Sequence, residues 1–454
     1  VKGQKPAREI FEDGRVENGR RILSTEVMAM QTNWKRIGLA VVSLGLALAL
    51  IMGSVVPAKA APQEKVVKIG LHMVLTGAAA DVGRGVAAWI DYIKYINDQG
   101  GIDGIKVEAM WEDEGRAPIV QAVSAHKRFK SAGVVVETCV VQGAQEILAP
   151  SLERDEIPLV GAYPSPPQIT KPMWIFGLIA SIQDLAAVSL EWLKATWTEE
   201  RPPRVGAMFY DHSAGWNDLE GVKWAAKQYG CEFIGYEVVP MLGAIDTSVE
   251  WLRLAGKKPD LIHTAWCGAS MTTAFKDAAR LEIQKQGIVL FDGGQCVDLV
   301  ESVVGRDVDG WYHTRWTCTR EETNIPEVQL IQEVAKRYRG WEPQQITSGT
   351  YIGIGWPIIK IAVEGIRLAI EKVGYENLTG RAVRDALASI KDFDMGLAPS
   401  GMPRQLITIT EEEPFIFRSA LVYRFEGTTP KRISNEFFEF PNVWFPTWFK
   451  EYKK

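Results

Sequence analysis

The chain has 454 residues, 46% hydrophobic and 24% charged, a balance that excludes wholesale disorder and a length that calls for at least two lobes. Fifty-one Lys and Arg against 56 Asp and Glu leave a net charge of −5, which excludes an overall electrostatic grip on nucleic acid as the main business of the protein. Five cysteines are too few for a disulfide scaffold, and their odd number leaves at least one unpaired in a monomer.

In chain order, residues 1–60 read as an upstream segment plus a secretory signal. Lys35-Arg36 precede the uncharged run Ile37–Val56, and Ala58-Lys59-Ala60 follows. A basic start, an apolar stretch and an Ala-x-Ala site predict cleavage after Ala60. Because the run is long enough to span a bilayer, retention as a membrane anchor is the competing reading. Residues 1–29 show no periodic apolar pattern and read as sequence upstream of the true start, at Met28 or Met30.

From Val66 onward short β-branched runs alternate with amphipathic stretches. Val66–Leu71 predicts a strand, and Val86, Trp89, Ile90, Ile93 and Ile96 fall on one face of the helix that follows it. Gly100-Gly101 stop that helix. Ile105–Trp111 and Val134–Val136 predict strands and Pro118–Ser131 and Glu146–Asp155 helices, with a short strand at Leu159-Val160. The beat resumes with strands at Val205–Tyr210, Phe233–Val239, Leu261–Ala265 and Ile288–Phe291. Helices at Leu219–Gly230, Val249–Ala255 and Met271–Leu281 lie between them. Trp311–Thr317 predicts a further strand; Glu327–Arg339, Gly353–Val373 and Leu378–Ile390 predict long helices; and Phe415–Phe425 with Arg432–Phe438 predict a strand pair. Strands each followed by a helix specify parallel sheets covered on both faces, and their number calls for two such sheets.

Few motifs carry chemistry. Gly83-Arg84-Gly85-Val86-Ala87-Ala88 matches a relaxed dinucleotide fingerprint, but that chemistry needs the first glycine directly at a strand end. Seven residues, Thr76–Val82, intervene here. The small residues are therefore read as packing, and no cofactor and no enzymatic activity are expected. His72, His126, His212, His263 and His313 show no metal-ligand spacing. His212 stands apart because it follows a strand, where cleft loops sit in parallel sheets. A Cys296–Cys318 bridge is open on the spacing alone.

Several short motifs then line up: Ile69-Gly70 with Leu75-Thr76-Gly77; Ile96-Asn97-x-x-Gly100-Gly101-Ile102-x-Gly104; Pro118 opening the second helix; Ile157-Pro158-Leu159-Val160; and Thr379-Gly380-x-Ala382-Val383-Arg384-Asp385-Ala386-Leu387. In this order, from Val66 to about Ser434, the chain resembles the periplasmic (extracytoplasmic) solute-binding proteins of branched-chain amino acid ABC transporters, with the type I periplasmic binding fold. The resemblance implies two doubly wound α/β parallel-sheet lobes, a three-crossing hinge and a ligand cleft between them. It places 65–180 and 318–410 in lobe one, and 181–317 and 411–454, with the C-terminal tail, in lobe two. It implies a small-molecule ligand delivered to the membrane permease of an importer, an exported location, no nucleic acid partner and a monomer. The competing function is a ligand-sensing receptor domain tethered by an uncleaved Ile37–Val56.

The ligand-binding positions the resemblance implies are Gly77 and Val82 in the first loop, Gln142, Gly143 and Ala144 at a helix start, and Tyr163 and Ser165 in the next loop of lobe one. In lobe two they are His212, Ala214, Trp266 and Gln295. Amino-acid-binding relatives carry Ser or Thr where this chain has Gln142-Gly143-Ala144, and a glutamate for the ligand ammonium where it has Gln295. Both departures turn the expectation from a standard branched-chain amino acid toward another small polar solute, an organic acid, an amide or an amino-acid-like molecule, and Tyr163 and Trp266 favour an aromatic body. Asp292, three residues from Gln295, is the alternative source of the missing charge.

Overall fold

The computed structural model describes residues 64–77, 80–115, 118–164, 173–179, 181–241, 243–265, 269–294, 296–297 and 305–441. The leader positions, including Ile37–Val56 and Ala60, lie outside this range, as do Ser165, Trp266 and Gln295.

The first sheet has five strands, β1 (Val66–Met73), β2 (Lys106–Asp113), β3 (Val134–Cys139), β4 (Leu159–Gly161) and β5 (Ile175–Gly177), in the order β2-β1-β3-β4-β5. All its pairings are parallel. Parallel pairing requires crossovers, and α1 (Ala80–Asp98), α2 (Pro118–Ala132) and α3 (Gln142–Asp155) supply them. Of the apolar stripe foreseen on α1, Val86, Trp89 and Ile93 are within 3% of full burial, and Ile90 and Ile96 are partly buried against the same core. Removing each such side chain from water contributes roughly 1.5–3 kcal/mol.

The second sheet joins β6 (Arg204–Tyr210), β7 (Glu232–Val239), β8 (Leu261–Thr264), β9 (Val289–Asp292) and β10 (Tyr312–Arg315) in the parallel order β7-β6-β8-β9-β10. Helices α4 (Gln183–Thr196), α5 (Ser213–Tyr229), α6 (Ser248–Gly256) and α7 (Ala269–Arg280) connect and cover it. Beyond β10 the sheet continues antiparallel with β13 (Ser419–Glu426) and β14 (Thr429–Arg432).

Between β10 and β13 the chain builds α8 (Pro326–Arg339), a π-helical segment (Ser348–Gly355), α9 (Trp356–Val373) and α10 (Gly380–Leu387), and a small antiparallel pair, β11 (Phe393–Asp394) with β12 (Leu406–Ile407). These helices pack on the first sheet's side, α8, α9 and the π segment against α1 and α10 against β3. Two α/β lobes result, with three crossings between them. The first and third crossings are laced together: Gly177 N–H donates to Pro414 O and Ile416 N–H to Gly177 O, each at 2.9 Å, and Phe417 N–H to Leu178 O at 2.8 Å. At the second, Cys318 N–H donates to Leu397 O (2.8 Å), and the Trp316 indole N–H to Gly353 O (2.7 Å).

Four sequence expectations are corrected. The stretch predicted as the start of a strand, Phe415–Phe417, belongs to the hinge, and β13 begins only at Ser419. The expected strand Arg432–Phe438 is instead the end of β14 and the start of a short strand, β15 (Phe438–Glu439), which pairs with β13 at Ser419-Ala420. Gly427, at φ 63°, makes the two-residue turn that sends β14 back early. The helix expected from Gly353 starts as a π-helix at Ser348, where Gly355 meets α1. The open Cys296–Cys318 pairing is not formed: Cys296 is in a disulfide, while Cys318 is a free, buried thiol on the second crossing.

Gly83 and Gly85 are spent on packing. A Cβ on Gly83 would lie 2.4 Å from Val74 O, and one on Gly85 would lie 2.5 Å from Thr350 Cβ. Both are distances real side chains do not tolerate, so the glycine pattern serves the approach of α1 to its neighbours.

Candidate ligand cleft

The C-terminal ends of parallel strands carry the loops between which ligands bind in open α/β sheets. In lobe one these loops follow β1, β3 and β4; in lobe two they follow β6, β8 and β9. The two sets face each other. The Tyr163 phenol feels Tyr210 and Asp292 across the gap, the His212 imidazole feels Glu146, and α3 approaches α5.

In lobe one the loop after β1 is held by a single carboxylate. Asp113 accepts the Leu75 amide (2.8 Å), the Thr76 hydroxyl (2.8 Å) and the Gly115 amide (3.1 Å). Burial works against its charge, but these hydrogen bonds outweigh it and keep the carboxyl below its ordinary range. Gly77 follows at φ 80°, exposed, a conformation that suits glycine. Val82 does not face the gap; it is buried in the core cluster of α1.

Gln142, Gly143 and Ala144 form the first turn of α3 and are buried. The residue before them, Val141, has no side-chain acceptor and puts no side-chain cap on the helix. Such an N-terminus favours an anionic or carbonyl oxygen. Space there is tight: a Cβ on Gly143 would stand 3.0 Å from Ile119 Cδ1. Tyr163, half-buried, leans edge-on against Trp316 of the second crossing (6.4 Å, 72°). Its phenol is pushed above its ordinary range, first by burial and then by Tyr210 and Asp292, so it stays a neutral donor.

In lobe two His212 caps α5: its Nδ1 accepts the Ala214 amide at 3.2 Å and faces the Ser213 hydroxyl at 3.4 Å. An imidazole that accepts at Nδ1 carries its proton on Nε2, so the cap fixes the tautomer and leaves one N–H donor on the other edge. Burial lowers the pKa, against the opposing pull of Glu146 and Asp211, and keeps the ring neutral. Ala214 is buried in the first turn beneath it. Asp292, fully buried, accepts the Thr264 hydroxyl at 2.8 Å and the Gly294 amide at 2.7 Å, one on each oxygen, and so shapes its own loop.

His212→Asn should therefore retain stability, since Asn is a good N-cap, and lose ligand affinity with the vanished Nε2–H donor. His212→Ala should lose affinity and about 1 kcal/mol of stability as well. Urea unfolding beside calorimetric titration of both variants separates the two roles.

Tyr210 and Glu146 were not foreseen as parts of this region. Tyr210 reads as the last residue of an apolar strand, and Glu146 as an ordinary polar residue of a helix; only the facing of the lobes brings them to the gap. Elsewhere two features invite chemical readings and do not sustain them. Ser189 Oγ meets His263 Nδ1 at 2.8 Å and His263 Nε2 donates to Asp218 at 3.1 Å, but all three are at most 1% exposed. This set ties α4, β8 and α5 together with no route for a substrate. A half-open cavity of about 250 Å³ lies between α1 and α9, away from the cleft, and Lys360 and Arg367 on its wall are already paired with Glu327 and Glu364.

Comparison with known proteins agrees with this architecture. The sequence profile of the family described as periplasmic binding protein matches residues 66–410. No curated protein matches. Among solved structures, a branched-chain amino acid ABC transporter protein from Thermus thermophilus with bound valine is 21% identical, with a TM-score of 0.71 over 86% of this chain and 99% of that one. A solute-binding protein from R. palustris in complex with 4-hydroxybenzoate is 15% identical, TM-score 0.68, over 83% and 98%. Another from Rhodopseudomonas palustris BisB5, in complex with 3,4-dihydroxybenzoic acid, is 19% identical, TM-score 0.64, over 83% and 98%. The chain belongs to the periplasmic binding protein family. Members of this family work outside the cytoplasm and bind solutes without transforming them.

Proposed function

We propose that the chain is the solute-binding component of an ABC importer, monomeric, which closes its two lobes on a small organic acid or amide with an aromatic body and delivers it to a membrane permease. The observation that carries the ligand class is the set of neutral donors at the gap. His212 offers an N–H whose position the α5 cap dictates, Tyr163 keeps its phenol proton, and Val141 puts no side-chain cap on the start of α3. These groups suit carboxylate, phenol or amide oxygens. One carboxylate beside the gap, Asp292, already accepts a hydroxyl and an amide within its own lobe.

On this reading Gly77, Gln142–Ala144 and Tyr163 meet the ligand from lobe one and His212 and Ala214 from lobe two. Ser165, Trp266 and Gln295 complete the set. The importer role draws support from solved relatives described as ABC transporter solute-binding proteins, two of them holding hydroxylated benzoates.

Titration calorimetry with leucine, 4-methylpentanoate, benzoate and 4-hydroxybenzoate tests the reading. An amino acid whose ammonium finds no partner forfeits about 2–5 kcal/mol, so leucine should bind at least about thirtyfold more weakly than the acids. Tight leucine binding that disappears in Asp292→Asn would overturn the proposal and assign Asp292 to the ammonium.

A further inference from the structure

Behind the lobe-one loops runs a buried line of alternating carboxylates and imidazoles. His72, on β1, sets Nδ1 against Glu114 Oε1 at 2.5 Å and Nε2 against Glu137 Oε2 at 2.8 Å. The other oxygen of Glu137, on β3, meets His126 Nδ1 at 2.8 Å, and His126 Nε2 on α2 meets Asp155 at 3.1 Å. His72, Glu114, His126 and Glu137 are at most 1% exposed. At the far end Asp155, the last residue of α3, also takes Lys130 (2.7 Å) and Arg154 (2.9 Å) from the surface.

The geometry sets the proton count. Each of the four nitrogen–oxygen contacts needs a proton between its atoms, because an imidazole lone pair facing a carboxylate repels it. Two imidazoles have four N–H positions. The line is satisfied when it holds four protons, as it does with both rings imidazolium and all three carboxyls ionised, although burial pushes Glu114 toward sharing the His72 proton. Removing one proton sets a lone pair against a carboxylate in a place that water does not reach, a large penalty at low dielectric.

We infer that this line is a proton-loaded latch on the cleft: while both histidines hold their second proton it clamps the end of β1 to the end of β2, and loss of a proton from His72 frees the Leu75–Gly77 ligand loop. The connection is short. Glu114 N–H donates to Met73 O at 2.8 Å, and Glu114 directly follows Asp113, the carboxylate that holds Leu75 and Thr76. Without the His72 proton, Glu114 and Glu137 face one another across a ring that can satisfy only one of them.

The groups packed around His72 agree on the direction. From the β2 side it meets Glu114, with Glu112 turned outward onto Arg128; from β3, Glu137, with Cys139 opposite it in register; from α2, the Phe129 ring at 5.2 Å and, through Glu137, His126; and from α3, Asp155 beyond His126. Burial pulls His72 down, but the bonds to Glu114 and Glu137 outweigh it and raise its pKa to about 9. Burial likewise opposes His126, and Glu137 and Asp155 raise it. A histidine raised in the folded state contributes stability that is complete below its ordinary value of 6.5 and is lost as pH climbs through about 9.

The latch rests on the cleft assignment of the Leu75–Gly77 loop, so its test has a readout that needs no ligand. In the intact exported protein labelled with ¹⁵N, both His72 and His126 should show imidazolium signals at pH 7.5. The backbone amides of Thr76 and Gly77 should then shift with the same midpoint as the His72 ring, near pH 9. A neutral ring at pH 7.5 would overturn the inference, as would deprotonation of His72 that leaves those amides unmoved. Benzoate, charged throughout this range, serves as the binding probe: its dissociation constant should rise about tenfold per pH unit above the His72 midpoint. An affinity that stays flat across the midpoint would also overturn the latch. Absence of benzoate binding at every pH would sink the proposed ligand class instead, and the amide titration would still decide the latch.

Discussion

Gly355→Ala should be among the most damaging single-methyl changes in the molecule, costing about 3 kcal/mol or more. A Cβ at this position would lie 2.2 Å from Gly85 O, a backbone atom in the middle of α1, and 3.0 Å from the Ala88 methyl. Overpacking of a core ordinarily costs about 1–3 kcal/mol because side chains can turn aside; here the obstacle is main chain, and relief requires α1 to move off the π-helical segment. The reciprocal contact is equally close, since a Cβ on Gly85 would strike Thr350. Urea unfolding of Gly355→Ala and of the exposed control Gly374→Ala, whose Cβ would meet nothing within 4 Å but whose φ is 78°, separates steric collision from backbone strain. The first should lose clearly more stability, and an equal loss would show that the seam is looser than its glycines indicate.

Asp91→Ala should act on the same seam by a different route, with a loss of about 3 kcal/mol. Asp91 is fully buried in α1; it accepts the Tyr351 hydroxyl at 2.8 Å from the π segment and a hydrogen bond from the Arg339 guanidinium at the end of α8. Burial raises its carboxyl above the ordinary range even against the pull of Arg339 and Tyr351, so its charge is held at a net cost. Such a group adds little when present and harms greatly when removed, because the partners stay behind: breaking a buried pair costs about 3–5 kcal/mol. The Arg339 side chain is partly exposed, which places the expected loss at the lower end. Asp91→Asn, which still accepts from Tyr351, should lose less. A double variant with Tyr351→Phe should lose less than the two single losses combined, the mark of a direct interaction.

Both predictions concern contacts that no local pattern reveals. The alternation of strand and helix was legible because each element carries its own local signal: β1 opens on the β-branched Val66, Val67 and Ile69, and α1 buries one stripe. The limit appears where an element's form depends on a distant neighbour. Ser348–Gly355 reads as the lead-in to an ordinary helix, and it is π-helical where it meets Gly85 of α1. Phe415–Phe417 has strand composition but is drawn into the hinge by Gly177 and Leu178. The lines His72–Glu137–His126 and Ser189–His263–Asp218 read as scattered polar residues, since β-strand alternation says which face a residue takes and nothing of what the face opposite provides. The place of His212 after a strand was legible, whereas its tautomer follows from capping geometry alone.

The antiparallel seat of β13 on β10 bears on how the protein comes to be folded at all. Arg315 pairs with Leu421 and Tyr312 with Arg424, while all of α8, α9 and α10 lies between those strands along the chain. Neither lobe can therefore be finished from a contiguous stretch: the first waits for helices made long after its strands, and the second exposes the edge of β10 until the penultimate segment is synthesised. Closures of such span are slow, since the entropy of bringing the ends together is lost before any contact compensates it. A ribosome-bound chain that has not yet made β13 thus lacks the pieces to lock either lobe. Until the last hairpin seals that edge, the fold offers no finished lobe to resist threading through a membrane pore.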